Sequence, residues 1–293
     1  YLLTLVDLQS IRKLKIVIDA GNGMAGHTAP AVFKRINAEV TEMFFELDGT
    51  FPNHEANPID EENLADLKQM VKKVRADIGL AFDGDADRCF LVDEKGNAVN
   101  PSLLTALIAE RELTKYPNSS IIYNLISSRA VREVIEEHGG VAIRSRVGHS
   151  FIKALMAESG AVFGGEHSGH FYFADFWRAD SGMLAALHAI AALGASNLKL
   201  SELLAPYSRY FSSGEINSKV KDGAKIIESL KVSYQAEPGV TIDELDGLTV
   251  NGDTWWFNVR ASNTEPLLRL NVEATSETQM AKLRDHLLAL IRG

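Results

Sequence analysis

"LAFDGDADRC", residues 80–89, runs an apolar stretch straight into Asp83, Asp85 and Asp87 on alternate positions, with Arg88 beside them. The apolar part belongs to "DIGLAF" (77–82), a run without alternation that reads as a buried strand. Upstream, "LKIVIDA" (14–20) has the pattern of a strand, "APAVFKRIN" (29–37) of a helix and "AEVTEMFF" (38–45) of a second strand. "DEENLADLKQMVKKVRA" (60–76) is an amphipathic helix. Strands alternate with helices, and that order describes an α/β layer structure.

After a charged hairpin-like turn, "VDEKGNAV" (92–99), the alternation resumes. Helices are expected at 101–116, 128–140, 150–160 and 181–193, strands at 119–126, 141–147 and 161–166, and a short helix at 199–207. From about residue 210 the register changes to a strand (211–220), a helix (222–234) and hairpin-like strands, "LTVNG", "TWWFNVRAS" and "LLRLNVEA". The last helix opens with Ser276 and Gln279 at capping-box spacing. The expected fold is α/β: two three-layer α/β domains with mixed sheets, 1–97 and 98–209, followed by a smaller α+β domain with an antiparallel sheet, 210–293.

Composition narrows the function. With 46% apolar and 24% charged residues this is the make-up of a globular protein, and a net charge of -9 argues against non-specific nucleic-acid binding. The most apolar helical stretch, "MLAALHAIAALGA" (183–195), is too short for a bilayer and contains His188, and no signal peptide is visible. The single Cys89 excludes an internal disulfide framework and fits a reducing cytosol, so a cytoplasmic protein without nucleic-acid or membrane partners is expected. The first residues, "YLLTLVDLQS", carry no initiator Met and start inside a helical pattern, which suggests a piece of a longer chain.

Three chemistries suit the aspartates. An EF-hand would place Asp83, Asp85, Asp87 and Glu94 at loop positions 1, 3, 5 and 12, but Arg88 stands where its sharp turn needs Gly, and a strand leads in. A phosphatase with an aspartyl nucleophile also sets paired Asp residues after a strand. A Mg²⁺ site is favoured, because three like charges within five residues repel unless a cation holds them.

Three further loops carry candidate chemistry. "KIVIDAGNGMAG" (15–26) sets Gly21, Gly23 and Gly26 at dinucleotide-fingerprint spacing, yet Asp19 would face a pyrophosphate with negative charge and Pro30 falls in the first turns of the helix. A glycine-permitted strand-to-helix turn is the better reading. In "FGGEHSGHFYF" (163–173), Glu166, Ser168 and His170 alternate and on an extended segment would face one ligand, suiting sugar hydroxyls. His149 in "RVGHSF" and the helix-opening "WRADSG" (177–182) are candidates for the same cleft. In "VRASNTEPLLRL" (259–270), Arg260, Ser262, Asn263 and Thr264 offer a guanidinium, hydroxyls and an amide suited to a phosphate dianion.

Metal, sugar and phosphate loops in this order resemble the α-D-phosphohexomutases, specifically the phosphomannomutase/phosphoglucomutase branch. "DGDADR" resembles the family's metal loop, "GEHSGH" its sugar-specificity loop and "RASNTEP" its phosphate loop, and the resemblance spans essentially the whole chain. It implies a mutase that interconverts hexose 1-phosphate and hexose 6-phosphate, of mannose or glucose, through a phosphoserine and a hexose 1,6-bisphosphate. It also implies one Mg²⁺ on Asp83, Asp85 and Asp87, with Arg88 neutralising phosphoryl oxygens. Glu166 and Ser168 would hold sugar hydroxyls, His149 and His170 would assist proton transfer, and Arg260, Ser262, Asn263 and Thr264 would hold the non-reacting phosphate. Two departures stand out. No Ser-His-Asn-Pro-like nucleophile loop is present, so the N-terminal catalytic domain of the same polypeptide is expected to be missing. The stretch that carries a cleft Lys in related enzymes reads "YNLISSRA" (123–130), with Arg129 as its nearest substitute. A non-catalytic phosphosugar-binding protein is the alternative.

Overall fold

In the computed structural model residues 1–262 and 266–293 are described, and they form two compact units. The first comprises Tyr1–Arg144 with Gly148–Tyr207, the second Ser145–Val147 with Ser208–Gly293.

The first unit holds two mixed sheets with helices layered on them. In one, β1 (Leu14–Asp19), β2 (Ala38–Met43), β3 (Ile78–Phe82) and β4 (Cys89–Val92) run in the order β2-β1-β3-β4. The first three are parallel and β4 is antiparallel to β3. Every residue of β3 is buried, as an apolar run covered on both faces requires. Helix α1 (Leu2–Leu5) is a single turn, and α2 (Ala25–Phe33) and α3 (Ala65–Val74) cross between the parallel strands. Helix α2 starts four residues earlier than its apolar pattern announces and runs through Pro30, because Ala25, Ala29 and Phe33 form its buried stripe. The other sheet has the order β6-β5-β7-β8-β9. Its strands are β5 (Ser120–Asn124), β6 (Val141–Ser145), β7 (Phe163–Gly165), β8 (Phe171–Phe173) and β9 (Ala179–Asp180). Helices α4 (Pro101–Lys115), α5 (Arg129–Glu137), α6 (His149–Ser159), α7 (Gly182–Gly194) and α8 (Leu200–Leu204) accompany it. Asn100, Ser128 and Ser181 cap α4, α5 and α7 through their side chains. One buried cluster runs from Leu14, Ile16 and Leu80 through Leu107 and Phe163 to Leu184 and Leu187, so both sheets share a core.

The second unit is an antiparallel sheet in the order β10-β14-β13-β12-β11. Its strands are β10 (Phe211–Lys219), β11 (Thr241–Asp243), β12 (Leu248–Asn251), β13 (Trp255–Ala261) and β14 (Leu267–Ala274). The core gathers Phe257, Val259, Leu268 and Leu270 with Leu230 and Tyr234 of α9 (Gly223–Gln235) and Leu287 of α10 (Glu277–Arg292). Ser276 caps α10, but the Gln279 amide turns away to Thr254, so the capping box is half formed. The α/β class with a C-terminal antiparallel sheet is as the sequence indicates. Among the described residues no helix is long and apolar enough to cross a membrane.

Candidate functional site

The aspartate loop joins β3 to β4 at the carboxyl end of the parallel strands, where open α/β sheets present their ligand crevice. Asp83 folds the loop on itself: its Oδ1 accepts from Arg88 N at 3.0 Å and its Oδ2 from Arg88 Nε at 2.6 Å. Ala86 supplies a left-handed corner with φ 64°. Oxygens of Asp83, Asp85 and Asp87 come within 4.8 Å of one another. Asp87 Oδ1 is a buried atom without a hydrogen bond, 3.3 Å from His170 Nε2. Burial, and after it the charges of Asp83 and Asp85, push the Asp87 carboxyl up to about 7. An acceptor-rich, mutually repelling oxygen set with one buried oxygen that makes no hydrogen bond fits a hard divalent cation.

Beside it lies the glycine turn after β1, which is structural. Asp19 is buried, and its Oδ1 caps the turn by accepting from Gly21 N at 2.9 Å. Met24 N donates to Gly84 O at 2.9 Å, and a Cβ on Gly23 would sit 2.6 Å from that same carbonyl. Gly23 is therefore needed for two loops to touch.

The second sheet delivers the GEHSGH segment to this place. Arg88 and His170 form an antiparallel bridge, and Cys89 N donates to Gly169 O at 3.1 Å. Glu166 to His170 is a tight turn between β7 and β8 and not an extended segment, closed by Glu166 N to His170 O at 3.0 Å, with Gly169 at φ 87°. The turn, and not strand alternation, brings the three side chains together: Ser168 Oγ is 3.0 Å from His170 Nδ1, and Glu166 Oε2 is 3.8 Å from it. Burial lowers the His170 pKa. Glu166, 2% exposed, accepts from Gly148 N at 3.0 Å and from the Tyr172 hydroxyl at 2.7 Å. His149 opens α6 immediately after that Gly148 and is exposed. Arg129 opens α5 after its capping Ser128.

Further groups surround these loops, one of them in the "WRADSG" stretch that the sequence singles out. Asp180 joins Asp87 and His170 as a further potential ligand group and pairs with Lys153 at 2.9 Å. His54 Nε2 meets Asp19 Oδ2 at 3.1 Å, which raises His54 to about 9, and Asn57 Oδ1 accepts from Arg88 Nη1 at 3.3 Å. "NHEANP" has no periodicity that would mark it, and only the fold sets it against the aspartates.

In the second unit, Arg260 lies on β13 directly opposite Arg269 on β14, and Glu215 of β10 receives both: Arg260 Nη2 at 2.7 Å and Arg269 Nη1 at 2.9 Å. Arg260 Nε is buried without a hydrogen bond. Ser262 N donates to Leu267 O at 2.9 Å. Asn263 and Thr264 lie outside the described residues.

Comparison with known proteins gives consistent matches along the chain. Residues 2–96 match the model of phosphoglucomutase/phosphomannomutase alpha/beta/alpha domain II, residues 100–210 that of domain III, and residues 215–290 that of the C-terminal domain. The phosphomannomutase of Methanocaldococcus jannaschii is 41% identical over 277 residues, 94% of this chain and 61% of its own length. The phosphomannomutase/phosphoglucomutase of Pseudomonas putida is 38% identical over 283 residues, 95% of this chain and 61% of its own. The crystal structure of a phosphoglucomutase/phosphomannomutase family protein from Burkholderia thailandensis matches with a TM-score of 0.88 at 34% identity, over 99% of this chain and 62% of that one. The chain thus spans about three fifths of the length of these relatives. With consecutive domain matches along its length and a relative 41% identical over 94% of it, the chain belongs to the phosphoglucomutase/phosphomannomutase family of α-D-phosphohexomutases.

Proposed function

We propose that this chain supplies the metal-, sugar- and phosphate-binding parts of a mutase interconverting hexose 1-phosphate and hexose 6-phosphate, of mannose or glucose. Segments 1–97, 98–209 and 210–293 act as its domains. The nucleophilic phosphoserine belongs to a further domain of the same cytoplasmic polypeptide, and a hexose 1,6-bisphosphate is the intermediate. The observation that carries this is the bridge between Arg88 and His170, which sets three crowded carboxylates against the Ser168–His170 turn.

Asp83, Asp85 and Asp87 would hold one Mg²⁺, which when bound supplies positive charge for phosphoryl oxygens. Arg88, steadied by Asp83, offers the rest of its guanidinium fork to the same oxygens. His170 can move a proton at Nε2 while Ser168 holds Nδ1, and His149 stands at the start of α6 as a second proton carrier. Ser168 meets the sugar hydroxyls, and Glu166 aligns the turn that presents it and accepts from the sugar with its remaining lone pairs. Arg260, Ser262, Asn263 and Thr264 hold the phosphate that does not react, with Arg260 leaving Glu215 for the ligand.

The test is interconversion of glucose 1-phosphate and glucose 6-phosphate by the natural polypeptide that carries these residues, with Mg²⁺, against Asp85→Asn. Expected is a loss of at least about a hundredfold in kcat/KM, the scale of removing a group that stabilises transition-state charge. Undiminished turnover would remove the metal assignment.

A further inference from the structure

We infer that Asn57 is a positioning residue for Arg88, and that His54 with Asp19 clamps the segment carrying it onto the aspartate loop. The inference rests on the proposal that Arg88 meets a phosphoryl group.

Arg88 is held from two sides. Asp83 takes its Nε, and Asn57 Oδ1, reached from the connection between β2 and α3, takes its Nη1 at 3.3 Å. A guanidinium is a planar fork, so fixing Nε and one Nη fixes the plane and aims the remaining donors in one direction. Asn57 is itself immobilised, since its carbonyl accepts from Asn63 Nδ2 at 2.9 Å.

The segment before Asn57 has no helix or strand to hold it and is tied down by side chains instead. His54 Nδ1 faces the Glu55 carbonyl at 2.9 Å and Nε2 faces Asp19 at 3.1 Å. With an acceptor at each ring nitrogen, the imidazole carries both protons and is a cation against the buried Asp19. Asn53 Nδ2 donates to Asn22 Oδ1 at 2.8 Å. Apolar contact completes the clamp: a Cβ on Gly84 would meet the Phe51 ring at 3.4 Å, and one on Gly21 would meet Ala56 Cβ at 3.3 Å. Residues 51–57 therefore lie across the glycine turn and the aspartate loop together.

A double-mutant cycle on the 293-residue chain tests this, reading glucose 1-phosphate affinity by calorimetry with Mg²⁺ present. Arg88→Ala should weaken binding by about tenfold or more, and Asn57→Ala, which removes one long contact at 3.3 Å, by about fivefold, the scale of one ordinary hydrogen bond. In the Arg88→Ala background, Asn57→Ala should cost nothing further. His54→Ala should follow Asn57→Ala, because it frees the same segment. Asn57 is only half-buried, so its variant should melt with the parent. An Asn57→Ala loss that persists without Arg88, or no loss with Arg88 present, overturns the positioning role. If Arg88→Ala leaves binding unchanged, the phosphoryl-contact reading of Arg88 falls first and takes this inference with it.

Discussion

At the scale of single residues, Glu166 shows how a ligand candidate can also be a structural part. A carboxylate 2% exposed would be costly without partners, and here each oxygen accepts one bond, from Gly148 N and from the Tyr172 hydroxyl. Truncation leaves the buried Tyr172 hydroxyl and the half-buried Gly148 N–H without this acceptor. Glu166→Ala should therefore lower the free energy of urea unfolding by about 2–4 kcal/mol, and Tyr172→Phe by about 1–2 kcal/mol. Unfolding curves that overlay the parent's would show that the carboxylate holds nothing. Glu166→Gln keeps the shape and one acceptor, and is the cleaner probe of sugar binding. It should weaken glucose or mannose 1-phosphate by about tenfold while leaving inorganic phosphate nearly untouched, because phosphate has no ring hydroxyls to lose. Equal losses for both ligands would assign Glu166 a structural role only. Residue types were legible here: three alternate carboxylates, a Ser–His pair and an arginine before a polar stretch mark candidate loops by their spacing, although Arg260 lies on β13 and not in the turn that the sequence suggests. Their partners were not. Nothing local links Asp19 to His54 or Glu166 to Gly148, since those contacts exist only once strands pair.

At the scale of elements, long apolar runs and amphipathic helices were readable because burial repeats along them. The exceptions have a common cause. Strand β9 is two residues and β8 and β11 are three each, too short to display a period, so the hairpin after the GEHSGH turn was invisible. What positions the aspartate loop is likewise an element contact. The start of α7 packs on its backbone, and a Cβ on Gly182 would sit 2.5 Å from Arg88 O and 3.1 Å from Ala86 O. Neither carbonyl belongs to a flexible side chain, so the loop itself must move. Gly182→Ala should weaken Mn²⁺ binding by about tenfold, as displaced carboxylates no longer converge, and should also lower Tm. Gly49 has no atom within 4 Å of its added Cβ, so Gly49→Ala should change neither quantity. Equal Mn²⁺ affinity in Gly182→Ala and the parent would show that α7 does not set the loop.

At the scale of the whole molecule, the α/β order and the C-terminal antiparallel sheet followed from pattern, whereas the core shared by the first two sheets did not, because packing between sheets leaves no local period. Stability against pH integrates such long-range contacts. His54 is raised from 6.5 to about 9, chiefly by its hydrogen bond to Asp19, so the folded state holds this proton more tightly than the unfolded state. Its stabilisation is complete below 6.5 and is lost as pH rises through about 9. Asp87 and Glu112, each raised to about 7 mainly by burial, also make the fold lose stability with rising pH, but that loss is largely finished above neutrality. His170 and His188 are lowered by burial, so they act in the opposite direction, and only below their ordinary range. Between about pH 7.5 and about 9.5 two groups then contribute, the His54–Asp19 pair and the buried Cys89 thiol, which burial raises and which costs the fold stability as the unfolded thiol ionises; His54→Gln removes only the first. Over that interval Tm of the parent should fall, and in His54→Gln it should fall less steeply, from a lower starting value at about pH 7.5, because only the Cys89 part remains. Because glutamine can still donate a neutral hydrogen bond to Asp19, the difference between the two slopes measures the charge and not the contact. Parallel slopes would mean that His54 releases its second proton near its ordinary value, and that the clamp on the aspartate loop holds through neutral hydrogen bonds alone.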